Sequence, residues 1–222
     1  MTVVNAQEQF LNDIDVFYKT YVSDGKIDYK GIKNNPEDLT GLINTIEQMN
    51  LNISDAQIVK AFWINAYNIL TIKGIVDNYP VKSPLDIPGF FDNKTYKVSG
   101  ESLTLNTIEN DILRKNFKDA RLHFVLVCGA IGCPPIINEA YRPIHLDQQL
   151  DRQTQLALNG DFLKINTKKK RVEFSEIMKW YKEDFVMDGK TEINFINIYR
   201  TDKIPSNFEI TYFSYNWNLN TY

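Results

Sequence analysis

The sequence predicts an α+β fold: one helix-rich domain over residues 1–222 with a small mixed or antiparallel sheet and short hairpins. Three observations carry this. Apolar residues recur at three-to-four spacing in several long stretches. Short alternating segments flank Gly-containing turns, as hairpins do. One nearly unbroken apolar run, residues 122–128, reads as a buried central strand.

The elements follow in order. Phe10, Ile14, Phe17 and Tyr21 give an amphipathic helix over 7–21, closed by the Asp24-Gly25 turn. After Pro36, Leu39, Leu42, Ile43 and Ile46 predict a second helix from about Glu37 to Met49. Ser54 is a natural N-cap for a third and longest helix, whose apolar stripe runs from Ile58 to Val76 before Tyr79-Pro80. Tyr96–Val98 and Leu103–Leu105 alternate about Ser99-Gly100 as a hairpin. Asn106 and Glu109 read as a capping box opening a helix to about Phe117. A helix near Leu146–Leu158 ends at Asn159-Gly160, and a second hairpin joins 162–166 to 171–174. Two short helical pieces follow, and Ile210, Tyr212 and Trp217 suggest a closing strand.

Composition narrows the function classes. The chain has 222 residues, 43% hydrophobic and 13% aromatic, enough for a substantial core without disulfides or metals. Net charge is −3, and the most basic run, Lys168 to Arg171, falls at a predicted hairpin turn. A nucleic-acid footprint would need a clustered basic face, so none is expected. No apolar stretch approaches the roughly 20 residues of a transmembrane helix. The partner expected is a small molecule or a peptide, and the oligomeric state is open.

Residues 122–135, LHFVLVCGAIGCPP, hold both cysteines, one of the two histidines, two glycines and a Pro-Pro stop. An apolar run ending in a thiol and a small-residue turn leaves backbone N–H groups to face a ligand. A thiol acts as thiolate, and His123 is the nearby base for Cys128 or Cys133. On an ideal strand His123 and Cys128 would lie on opposite faces, so contact requires the strand to end or bulge first. Glu109 or an asparagine is a candidate to orient the imidazole.

Other readings stand beside this one. Cys128 can fill space at the end of a core strand. Cys128 and Cys133 can close a small disulfide loop. His123, Cys128, Cys133 and His145 supply zinc-ligand types but lack the paired two-to-four-residue spacing of common sites, so no metal is expected. No cofactor is expected either. Asn65 projects inside the apolar stripe of the third helix and Asn68 falls at its margin. Each either clamps backbone of the Pro88-Gly89 loop or the closing strand, or lines a pocket near Cys128. Arg114 either caps its helix end or holds a substrate carboxylate or phosphate. Trp63 and Tyr67 read as core, and Trp217 to Asn220 either cover the pocket or lock the last strand.

Four blocks carry a family resemblance: Ala61 to Asn68 (AFWINAYN), Ile108-Glu109-Asn110 with Leu113-Arg114, His123 to Gly129 (HFVLVCG) with Cys133-Pro134, and Tyr215 to Asn220 (YNWNLN). In this order over residues 61–220 they resemble domain-of-unknown-function family 547. The resemblance implies a shared fold and a shared set of polar positions, not a reaction. It also implies export, periplasmic or extracellular, with a signal peptide absent from this chain, although the residues fit a cytoplasmic location too. Relatives often carry His where this chain has Asn110, which removes one acid–base group. Plant relatives often have Ser at the position of Cys133, which makes Cys128 the better nucleophile candidate. The resulting function is a thiol-dependent hydrolase or acyltransferase with Cys128, His123 and Glu109 as catalytic residues and Asn65, Asn68, Arg114 and Cys133 in support. The alternative is a non-catalytic binding or scaffold module with structural or disulfide-bonded cysteines.

Overall fold

The computed structural model describes residues 3–51 and 53–222. Helix α1 (Val3–Tyr21) buries Phe10, Ile14, Phe17 and Tyr21, as their spacing predicts. The Asp24-Gly25 turn then joins two very short strands, β1 (Val22–Ser23) and β2 (Lys26–Ile27). Both turn residues have positive φ, the backbone that a two-residue hairpin requires. The Asp28 carboxylate accepts from the Gly31 N–H and starts α2 (Tyr29–Asn34), which sequence spacing does not predict. Helix α3 spans Glu37–Gln48.

Helix α4 (Ala56–Asn78) is the centre of the larger apolar cluster. Asp55, not Ser54, caps it, accepting from the N–H groups of Gln57 and Ile58. Every residue from Lys60 to Ile72 is buried. The helix is therefore enclosed on all sides and does not present a single apolar stripe. Its polar residues inside that span must find protein partners.

Strands β3 (Thr95–Val98) and β4 (Glu101–Thr104) form the predicted hairpin about Ser99-Gly100. The capping box predicted at Asn106 and Glu109 does not form. Asn106 is already helical, and the Thr107 N–H is taken by the Thr104 hydroxyl at 3.1 Å. The helix thus begins earlier than the sequence suggests, and Glu109 is freed from capping. Thr107–Arg114 is wound as a π-helix and runs into α5 (Lys115–Phe117).

The predicted central strand at 122–128 is also overturned. Ala120–Phe124 form a 3₁₀ helix, opened by Asp119 accepting from the Arg121 N–H, and the chain from 125 to 128 is irregular. Leu122 to Val127 are all buried, so the run has no polar face to show a period, and an apolar run of this length does not separate strand from buried helix or loop. Helix α6 (Leu146–Asn159) follows.

Strands β5 (Leu163–Asn166) and β6 (Arg171–Ser175) pair antiparallel as predicted, and β7 (Glu209–Phe213) joins β6 in parallel, giving a mixed sheet in the order β5-β6-β7. Ile210 and Tyr212 lie in β7, whereas Trp217 lies beyond it. Helices α7 (Glu176–Trp180), α8 (Lys182–Phe185) and α9 (Glu192–Tyr199) pack with this sheet in a second apolar cluster. Small separate sheets among many helices make the fold α+β. Among the described residues, no helix is long and apolar enough to cross a membrane.

Candidate functional site

The site is assembled from the irregular backbone that follows the 3₁₀ helix. Strand neighbours are absent there, so Asn68 of α4 takes their place. Its amide Nδ2 donates to the Val125 carbonyl at 2.9 Å, and its Oδ1 accepts from the Val127 N–H at 2.9 Å. Asn65 does the same for another segment, donating to the Tyr141 carbonyl at 2.8 Å and accepting from the Tyr141 N–H at 3.0 Å. Both asparagines are clamps, on neither of the segments expected for them, and neither lines the cavity described below.

After Val127 the chain turns through the Cys128–Cys133 loop. The two sulfur atoms are paired, with Cα atoms 6.4 Å apart, inside the usual range for a disulfide. Gly129 sits at φ +81°, and a Cβ there would come within 2.2 Å of the Ile75 side chain, so both backbone and space require glycine. The loop's N–H groups do not face a ligand as expected. Ile131 and Gly132 donate to the carbonyls of Asn218 and Asn216 at 2.8 Å each, and Cys128 N–H points to Cys133 Sγ at 2.9 Å. The Asn220 N–H donates back to Gly129, and the Asn220 side chain accepts from the buried Tyr29 hydroxyl at 2.7 Å. The 216–220 segment therefore fastens the cysteine loop, and Trp217 within it also forms cavity wall.

A cavity of about 270 Å³ opens beside the cysteine pair. Its wall includes Glu109, His123, Cys128 and Cys133, together with Tyr67, Trp180, Tyr181, Tyr215 and Trp217. Four residues singled out from sequence thus share one cavity. The Tyr215 hydroxyl lies 2.9 Å from Cys133 Sγ and 3.0 Å from Cys128 Sγ. The Tyr67 hydroxyl donates to Glu109 Oε2 at 2.9 Å, and Tyr181 also hydrogen-bonds this carboxylate. Burial, then the Glu109 charge, pushes the Tyr67 and Tyr181 hydroxyls above their ordinary range, so both stay protonated donors.

The carboxylate that meets His123 is Asp184 and not Glu109. His123 Nε2 and Asp184 Oδ2 are 2.6 Å apart, and the imidazole stacks on Tyr181 with ring centres separated by 4.2 Å. Arg114 supports the same carboxylate, with its Nε donating to Asp184 Oδ2 at 2.7 Å and its guanidinium over the Tyr181 ring. It does not line the cavity. Burial of Asp184 works against ionisation, but the hydrogen bonds from His123 and Arg114 outweigh it and lower the pKa to about 2. The result is a relay Arg114–Asp184–His123 that ends at the cavity, with His123 itself 4% exposed.

Asp184, Tyr181 and Trp180 are site residues that sequence reasoning missed, while Tyr215 stands out only within the YNWNLN block and Tyr67, expected in the core, also forms wall. The adjacent Trp180-Tyr181 pair, with Asp184 three residues on, is the only local sign of the first three. Among the described residues, no group of three or more His, Cys, Asp or Glu side chains is placed to hold a metal ion.

The family model described as "Protein of unknown function, DUF547" matches residues 51–156. That stretch belongs to this family. No curated protein and no solved structure matches the chain. The DUF547 match contains α4 with both asparagine clamps, the π-helix with Glu109, and the loop from His123 to Cys133. Tyr181, Asp184, Tyr215 and Trp217 lie beyond it.

Proposed function

We propose that the cavity is the active site of a thiol-dependent hydrolase or acyltransferase, with Cys128 as nucleophile, His123 as its base and Asp184 as the group that positions the base. The observation that carries this reading is the 2.6 Å contact of Asp184 with Nε2 of His123, the imidazole itself lining the same cavity as Cys128. An ionised carboxylate on Nε2 fixes the tautomer that leaves Nδ1 as proton acceptor. Glu109 and its two tyrosine donors then form the substrate-facing polar corner of the cavity.

In this reading the paired cysteines are a resting form. A dithiol reductant takes up the bond, becoming a disulfide while Cys128 and Cys133 each gain a proton. The Cys128 thiol then passes its proton to His123, and the thiolate attacks an ester or amide carbonyl. The bond to the leaving group breaks, the leaving group takes the proton from His123, and water or an acceptor resolves the thioester. A pair able to persist as a disulfide fits export to an oxidising compartment, where the protein rests until a dithiol donor reduces it.

The cysteine pairing itself favours a second reading, in which the bond is structural and the cavity only binds. One experiment separates the two. Reduced protein is mixed with an activated phenyl ester, and the product is read by intact mass. Under the enzyme reading the acyl adduct maps to Cys128, is absent from Cys128→Ser and from the oxidised protein, and forms about 100-fold more slowly in His123→Ala. An adduct rate unchanged in His123→Ala, or no adduct on Cys128, leaves the binding reading.

A further inference from the structure

Among the described residues the cavity wall holds one carboxylate, Glu109, no lysine or arginine, and one imidazole, His123, which is paired with Asp184. The Arg114 guanidinium is outside the wall, over the Tyr181 ring and paired with Asp184 and Glu183. Against this single anionic group stands a cluster of rings. Trp180 and Trp217 stack with centres 5.9 Å apart, and Tyr215 packs against both, at 5.1 Å and 4.7 Å. Phe91 closes on Trp217 from the other side at 6.4 Å. Trp180 is 45% exposed, although it is among the largest apolar side chains in the chain. Trp180 thus forms part of the cavity wall while almost half of it stays in contact with water.

Aromatic faces carry negative charge density, tryptophan most strongly, and attract a cation that sheds its water. The Tyr67 and Tyr181 hydroxyls each spend one bond on Glu109, which orients the carboxylate but leaves acceptor capacity unused, since two carboxylate oxygens offer about four lone-pair sites. A ring cluster plus an oriented carboxylate, with no lysine or arginine among the described wall residues and the imidazole paired with Asp184, is complementary to an alkylammonium group. The volume, about 270 Å³, lies just below the ~300–1,000 Å³ of sites for drug-sized ligands. It suits one head group of a larger molecule.

We infer that the cavity binds a cationic amine, so that the acyl group handled at Cys128 is carried by, or passed to, an alkylammonium-bearing molecule. As a statement about substrate this rests on the thiol-enzyme reading. As a statement about binding it holds in the oxidised protein, where no acyl transfer occurs, and so the two fail separately.

The test is isothermal titration and tryptophan fluorescence of the oxidised full chain with choline and with 3,3-dimethylbutan-1-ol, its neutral counterpart of the same shape. Choline is expected to bind about tenfold more tightly than the alcohol. Glu109→Gln should remove most of that difference while leaving the alcohol unaffected. Because Glu109 also braces two tyrosines, Trp180→Leu serves as a second variant at a half-exposed position, and it should weaken choline and quench its fluorescence response. Equal affinity of the two compounds, or no binding of choline by a protein whose circular dichroism is native, would overturn the assignment.

Discussion

Asn68→Leu is the substitution from which the most can be computed. It keeps side-chain volume roughly constant, so cavity formation is a minor factor, and it deletes two buried hydrogen bonds of 2.9 Å, to the Val125 carbonyl and from the Val127 N–H. Asn68 is 1% exposed, so water does not replace it easily. Each buried backbone group left unpaired costs about 1–3 kcal/mol, or about 2–6 kcal/mol for two. The leucine returns about 1–2 kcal/mol through apolar burial. The expected net loss is therefore about 2–3 kcal/mol, a sizeable part of the roughly 5–15 kcal/mol that holds a typical domain folded. Urea denaturation of the oxidised protein, followed by tryptophan fluorescence, reads this directly. With a slope near 3 kcal/mol per molar, the midpoint should fall by about 1 M. The same variant should also speed reduction of the Cys128–Cys133 bond, because the clamped residues run straight into Cys128. A midpoint shift below about 0.3 M would refute the claim that Asn68 substitutes for strand pairing.

Asp184→Asn should slow acylation of reduced Cys128 by about 100-fold, because an amide does not fix the imidazole tautomer that leaves Nδ1 as proton acceptor, and the rate of adduct formation measures this. Asp119 is held near pKa 2: its burial opposes ionisation, but bonds from Arg121 and Lys60 outweigh that. Its folded pKa is below the unfolded one, so its stabilisation is complete above about pH 4 and disappears as pH falls through about 2, a loss of about 2 kcal/mol. Urea midpoints at pH 5 and pH 2.5 should therefore differ less in Asp119→Asn than in the parent chain. Reducing the cysteine pair, which closes a loop with sequence separation 5, should cost about 2 kcal/mol by loop entropy, visible as a lower melting temperature in reductant. Gly129→Ala should cost more than about 2 kcal/mol, through positive φ and the Ile75 contact together, as measured by the same melts.

Where residues sit on one face of an element, the sequence states their position plainly. Phe10, Ile14 and Phe17 define α1, and Ser99-Gly100 defines the β3–β4 turn, because each is a local pattern with one local solution. The run from Leu122 to Cys128 is different. It is buried on every side, so it has no period, and what settles its shape is an amide from α4, 57 and 59 residues away in sequence. The site divides in the same way. His123, Glu109, Cys128 and Cys133 were legible because their chemistry is unusual in an apolar context. The partner of His123 was not, since Asp184 is one of many exposed-looking acids and reaches the imidazole across 61 residues. The Asn106–Glu109 spacing fits a cap in sequence, but the Thr104 hydroxyl takes the Thr107 N–H and the helix is already under way at Asn106.

The boundary of the DUF547 match falls across the cavity in a telling way. Residues 51–156 contain the helix that clamps, the loop that is clamped, and the sulfur atoms. The later part of the chain supplies the stacked indoles, the tyrosine against the cysteine pair, and the acid behind the imidazole. Such an arrangement separates two kinds of change. Substitutions at Asn65, Asn68 or Gly129 act on whether the frame stands at all, whereas substitutions at cavity-facing rings of the later part, Trp180 above all, change the wall while the frame is kept. A chain that keeps this backbone and changes only Trp180 and Trp217 would keep the scaffold and present a different wall, so the two kinds of substitution separate in a melt: the first lowers the midpoint, the second leaves it near the parent value.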